Sequence, residues 1–208
     1  MHIHLVRHGR DTRQGDRKLT AQGRCQARAV ADRFARHGVT DILTAAPARA
    51  RETAEEISRA TGTVAEIDDR LDEIRPGPID DAGLPGPRER LRERVCGPDA
   101  GGAETWDRFL ERVSAFLSEL CRVSSPQRQV VLVTHSGVFD AMFEILCGTG
   151  QRVELAVAHT AVTHWQYRPG NPGGSWVLHS HNDTAHLGHP NHAPATQAAG
   201  VRGDAPCR

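Results

Sequence analysis

Apolar residues in this chain fall either into short unbroken runs or into longer stretches where they recur every three or four positions. Ile3-His4-Leu5-Val6 and Val130-Val131-Leu132-Val133 are the clearest runs, and each reads as a buried strand. After the first, Thr20 caps a helix over roughly 21–36 with Ala27, Val30 and Phe34 on one face. Residues 40–43 suggest a short strand. A second helix then runs to about residue 60 with Ala50, Ala54 and Ile57 in register, Gly62 ends it, and residues 64–67 suggest another strand. Alternating strands and helices of this kind are α/β wiring. We expect a three-layer α/β/α sandwich around a mostly parallel central sheet.

The pattern changes over residues 72–102, where glycine and proline recur and an arginine-rich helix fits at 88–95. This stretch reads as an excursion capping the active face. From residue 104 to 120, Trp106, Phe109, Leu110, Val113, Phe116, Leu117 and Leu120 form a broad apolar stripe that predicts an amphipathic helix packed on the core. The strand at 129–134 feeds a helix starting near 138. Further extended pieces are expected at 153–157, 162–167 and 175–179, with Asn171-Pro172-Gly173-Gly174 as the turn of an antiparallel pair. Residues 1–187 thus read as one domain, and the polar, aperiodic residues 188–208 as a disordered tail.

Composition narrows the function classes. Twenty-six basic and 26 acidic side chains cancel over 208 residues, and Lys18 is the lone lysine. Zero net charge and a single tyrosine disfavour a nucleic-acid surface, and no segment approaches a membrane span. Five cysteines without a Cys-x-x-Cys pair give neither a disulfide framework nor a thiolate zinc site, so a cytoplasmic location is the expectation. A first strand beside Met1 suggests that nothing precedes the domain. His2 and His4 alternate on a strand, as do His179 and His181, but without an Asp or Cys ligand at telling spacing no metal is expected.

Candidate chemistry gathers where strands end. The first strand empties into Arg7-His8-Gly9, and the strand at 129–134 delivers His135-Ser136-Gly137 at a helix start. In a parallel sheet both ends open on one side, where ligands of α/β folds collect. Two more strand ends lead to Arg49 and to Arg70-Leu71-Asp72-Glu73. Imidazole is a competent nucleophile, guanidinium grips phosphoryl oxygens in a fork, and a carboxylic acid can protonate a departing oxygen. Two histidines, two arginines and a carboxylate therefore supply what phosphoryl transfer needs without a metal or other cofactor. Each residue alone has a plainer reading: a packed histidine, a surface ion pair, a solvated loop acid.

Six segments in order give the chain a strong resemblance to the histidine phosphatase superfamily, also called phosphoglycerate mutase-like. They are Arg7-His8-Gly9; Leu19-Thr20 with Gly23 and Gln26; Arg49-Ala50 with Thr53-Ala54; Arg70-Leu71-Asp72-Glu73-Ile74; Val133-Thr134-His135-Ser136-Gly137; and Asn182-Asp183-Thr184-Ala185-His186-Leu187. The chain departs from the family at Arg10-Asp11-Thr12, at Thr44-Ala45-Ala46-Pro47, and in lacking a first-loop asparagine, for which Gln14 is the substitute at hand.

The resemblance implies a metal-independent phosphomonoesterase of the small-molecule branch. His8 would be transiently phosphorylated, Glu73 would act as acid and then base, and Arg7, Arg49 and His135 would hold phosphate. Gln14, Arg88 and Ser136 are candidate contacts to the rest of a small phosphorylated metabolite, and a homodimer is the assembly common in the family. His186 belongs by resemblance to a structural ending. The alternatives within the fold are a phosphoglycerate-type mutase and a phosphohistidine protein phosphatase. Outside enzymes, the alternative is a protein that binds a phosphorylated ligand without turning it over.

Overall fold

The computed structural model describes residues 1–12, 17–75, 104–150, 153, 155–170 and 173–188. Gln14, Arg88, the proposed helix at 88–95, nearly all of the excursion and the tail beyond Gly188 lie outside them. The elements are β1 (His2–Arg7), α1 (Ala21–Phe34), β2 (Asp41–Thr44), α2 (Ala48–Thr61), β3 (Ala65–Ile67), a 3-10 turn (Asp69–Leu71), α3 (Trp106–Arg122), β4 (Gln129–Thr134), α4 (Ser136–Cys147), β5 (Val162–Arg168), β6 (Ser175–Asp183) and a final 3-10 turn (Ala185–Leu187).

These strands make one sheet in the order β3-β2-β4-β1-β5-β6. The first four run parallel, and β5 and β6 join antiparallel at one edge. Val130 to Val133 are fully buried, as a central strand covered on both faces must be. Alternation along β1 separates those faces. Ile3 pairs with Trp165, which packs edge-on against Phe143 of α4; His4 pairs with His164 and packs against Phe34 of α1. Helices α1 and α2 pack together, as do α3 and α4. The α/β sandwich expected from the sequence is the observed fold.

Three expectations need correction. Helix α4 begins at Ser136 rather than near 138, because His135 already takes the extended N-cap conformation. Residues 155–158 form no strand: Leu155 N–H is spent on Asp140 Oδ1 (3.0 Å) and Ala158 N–H on Asn182 Oδ1 (2.8 Å), so side chains take the donors a ladder would use. Cys25, expected to be a reduced thiol, is disulfide-bonded, whereas Cys121 and Cys147 are free. No helix among the described residues is long and apolar enough to cross a membrane.

Candidate active site

Register brings the two strand-end histidines together. Arg7 stands opposite Thr134 in the parallel β1–β4 pair, so the next residues, His8 and His135, leave the sheet side by side. His8 N–H donates to Thr134 O at 3.0 Å, and the two rings lie 5.0 Å apart at 60°. Arg49, on the first turn of α2, is buried between them. Its Nε donates to His8 Nε2 at 3.2 Å, and its Nη2 lies 3.3 Å from His135 Nδ1.

A guanidinium has donors only, so both of those imidazole nitrogens must present lone pairs. His8 Nδ1 lies 2.8 Å from the Gly9 carbonyl, which can only accept. The hydrogen of His8 therefore sits on Nδ1, and its Nε2 lone pair faces Arg49. By the same logic His135 carries its hydrogen on Nε2, a buried atom with no hydrogen-bond partner among the described residues. Both rings are neutral. Burial lowers each pKa well below the ordinary histidine value; His135 and then the Arg49 and Arg7 charges add to this for His8, and Arg49 and Arg7 for His135.

Glu73 reaches the same place from the 3-10 turn after β3. Thr134 Oγ1 donates to Leu71 O at 2.5 Å, and Arg112 of α3, paired with Glu104, donates to the Arg70 and Asp72 carbonyls at 2.8 and 3.1 Å. The turn is thus tied to both β4 and α3. Glu73 accepts from Ile74 N–H at 3.1 Å and from Gly137 N–H, in the first turn of α4, at 3.3 Å. A Cβ on residue 137 would stand 2.0 Å from Glu73 Oε1, so only glycine lets helix and carboxyl approach this closely. Burial raises the Glu73 pKa against the lowering by these two amides and the Arg49 and Arg7 charges.

The remaining segments hold this arrangement in place. Thr20 caps α1 through Gly23 N–H, and Gln26 Oε1 accepts from Arg10 N–H, both at 3.0 Å. A side chain on Gly23 would collide with Arg10 O at 2.0 Å, so these residues clamp the chain just past His8. Thr53 Oγ1 accepts from Gly9 N–H at 3.0 Å and donates to Arg49 O at 2.7 Å, locking α2 to the His8 loop. Arg7 Nη1 donates to Val157 O. Ser136 is the first residue of α4, half-buried beside His135.

Two residues of the cluster were not singled out from the sequence. His159 Nδ1 lies 3.1 Å from His8 O, with its ring 5.5 Å from that of His8; burial first, then Arg7, lowers its pKa to about 4. The closing motif braces its loop. Asn182 accepts from Ala158 N–H, His186 Nε2 lies 3.2 Å from Thr160 Oγ1, and Thr160 holds φ 58 while its N–H donates to Arg7 O. The second is Asp11. Its Oδ2 lies 2.9 Å from Arg17 Nε and 3.6 Å from Arg49 Nε, a carboxylate against the cation between the two histidines.

Comparison with known proteins places this geometry in a lineage. The chain is 28% identical over 209 residues to a probable phosphoglycerate mutase GpmB of Photorhabdus laumondii, spanning 91% of this chain and 96% of that protein. Among solved structures, the mycobacterial glucosyl-3-phosphoglycerate phosphatase in complex with inorganic phosphate superposes with a TM-score of 0.71 at 26% identity, covering 89% of this chain and 98% of that one. The Entamoeba histolytica phosphoserine phosphatase bound to 3-phosphoglyceric acid shares the fold, with a TM-score of 0.68 at 21% identity over 89% and 98% of the two chains. Residues 3–184 match the histidine phosphatase superfamily (branch 1), and this chain is an enzyme of that superfamily.

Proposed function

We propose that the chain hydrolyses small phosphomonoesters through a phosphohistidine on His8, without a metal. The observation that carries this reading is the complementary pair of tautomers around Arg49: a lone pair on His8 Nε2 beside a hydrogen on His135 Nε2. A buried donor without a partner costs about 1–3 kcal/mol, and an oxygen of a bound phosphoryl group would relieve that cost. Arg49 and Arg7 supply the countercharge. His8 Nε2 attacks phosphorus as the ester P–O bond breaks, while the Gly9 carbonyl keeps its hold on Nδ1–H. Protonated Glu73 delivers its proton to the departing alkoxide. As carboxylate it then takes a proton from the water that attacks the phosphohistidine, releasing phosphate and neutral His8.

The substrate class we infer is a small phosphorylated metabolite, in keeping with the phosphatase neighbours. The similarity to proteins named as phosphoglycerate mutases favours a second reading, in which phosphate returns to another hydroxyl. Chelator-treated enzyme offered a panel of phosphorylated metabolites should release inorganic phosphate and, on rapid quenching, carry an acid-labile, base-stable phosphoryl group. Isomerised product without free phosphate would favour the mutase. Turnover that requires added metal, or forms no phosphoryl adduct, would overturn both.

A further inference from the structure

A second cluster of imidazoles lies at the opposite end of β1. His2 from β1, His164 from β5 and His179 from β6 each present a ligand-type nitrogen, and all three atoms lie within 4.8 Å of one another. His2 Nδ1 and His164 Nε2 are 2.9 Å apart, and the His164 and His179 rings stack at 4.6 Å. Ligand nitrogens around a tetrahedral zinc ion are separated by about 3.3 Å, given bonds of about 2.0–2.1 Å. The His2–His164 separation lies just under that value and no pair of the three exceeds 4.8 Å, so modest ring rotations would let them share an ion.

Strand register accounts for this meeting. Gln166 pairs with Val177 and Trp165 with Leu178, and that register carried one residue further sets His179 opposite His164. His2 pairs with Gln166 and His4 with His164, so alternation puts all of these side chains on one face of the sheet. The register slips only beyond this point, where Ser180 is also paired with His164. Gln166 Oε1 lies 3.2 Å from His179 Nε2, and His4, held by Gln129 at 3.1 Å, stacks on the other face of the cluster at 4.4 Å from His164.

We propose that His2, His164 and His179 form a surface site for a late first-row divalent ion of the zinc, nickel or copper class, clipping β1 to the β5–β6 edge. The donor set is nitrogen only, which suits those ions and excludes magnesium and calcium, whose ligands are oxygens. The nearest cations are already engaged: the Met1 amine donates to Tyr167 O at 3.1 Å, and Arg33 pairs with Asp183 at 2.8 Å. His179 is exposed, so the remaining coordination positions open to water.

The test uses untagged, chelator-treated full-length protein titrated with Zn²⁺ by calorimetry, with Co²⁺ absorption reporting coordination. One ion per chain should bind, the melting temperature should rise with added Zn²⁺, and Co²⁺ should give the visible bands of a nitrogen-rich low-coordinate site. His179→Ala removes an exposed ligand and should weaken Zn²⁺ binding by about 10–100-fold without changing phosphate release. Should His164→Ala fail to fold, His179→Ala and His2→Ala still decide the matter. His8→Ala should bind Zn²⁺ as the wild type does. Equal affinity in wild type and His179→Ala, or loss of the ion in His8→Ala instead, would overturn the proposal.

Discussion

Strand β1 carries a histidine cluster at each end, and the two differ in what surrounds the imidazoles. At its carboxyl end His8 and His135 flank the guanidinium of Arg49, His159 packs behind His8, and Glu73 is held on backbone amides. At its amino end His164 stacks against His4 and His179, His2 lies tilted beside them, and among the described residues no guanidinium hydrogen-bonds to these rings. Burial is the largest cause lowering the histidine pKa in both places, to about 4 for His4 and about 3 for His164. Burial thus favours the neutral form of His8 and His135 at one end and of His4 and His164 at the other. On our reading, a neutral imidazole beside arginines would face an anion as nucleophile or donor, whereas each one in a cluster of imidazoles has a lone pair that it could turn to a cation. Context, not residue type, divides the two functions.

The largest effect that would separate the two ends is on His8. His8→Ala should lower phosphate release about a thousandfold or more while leaving Zn²⁺ binding at the other cluster intact, measured by phosphate assay and calorimetry on one preparation. Activity within tenfold of wild type would remove His8 from the reaction. Glu73→Gln comes next and should lower kcat by roughly 10²–10⁴-fold. The pH profile checks the pair. His8 must be neutral and its pKa is depressed, so the acid limb of kcat/KM should lie well below the ordinary histidine pKa of 6.5. Glu73 must be protonated and its pKa is raised, so the alkaline limb should lie above the usual carboxylate value of 4.5 and vanish in Glu73→Gln.

A smaller effect tests the helix–carboxyl approach. Gly137→Ala places a methyl group where Glu73 Oε1 now stands, so the carboxyl must move or α4 must shift. A misplacement of about 1 Å in a catalytic group costs on the order of 10² in rate, and that loss is expected in kcat rather than KM. The amino-terminal cluster should not notice. A matching fall in Zn²⁺ affinity would show that the two ends are mechanically coupled through β1.

Much of this was legible from residues alone, and the omissions have physical causes. The run Val130 to Val133 and the stripe from Trp106 to Leu120 announce themselves because one element buries them uniformly. His8 and His135 are legible because each ends a strand in a parallel pair, which fixes the side on which they emerge. His159 gives no such signal. It comes from a loop shaped by the left-handed residues Thr160 and Asn182, with bonds from residues more than twenty positions away. The amino-terminal cluster needs β1, β5 and β6 to pair in one particular register, and alternation along a sequence cannot report which residues of separate strands stand opposite one another. Asp11 was visible only as a departure from the family pattern; its approach to Arg49 goes with the antiparallel bridge between Asp11 and Leu19, a pairing that no local pattern announces.

Asp11 also supplies the finest test of what makes the carboxyl end an anion site. Its carboxylate stands 3.6 Å from Arg49 Nε, where on our proposal it would compete with phosphate for that guanidinium and repel a phosphoryl oxygen nearby. Its partnership with Arg17, half-exposed at 2.9 Å, offsets part of this charge. Two unit charges about 5 Å apart interact by roughly 0.8 kcal/mol in bulk water and by more inside a protein, a factor of at least about four in binding. Asp11→Asn keeps the shape and removes the charge, so it should lower KM and the inhibition constant of inorganic phosphate by at least about fourfold with kcat little changed. The reverse result, weaker phosphate binding in Asp11→Asn, would mean that Asp11 acts chiefly by holding Arg17 or Arg49 in place. The anion preference of this end would then owe more to positioned guanidiniums than to net charge, and the contrast with the imidazole-only cluster would sharpen accordingly.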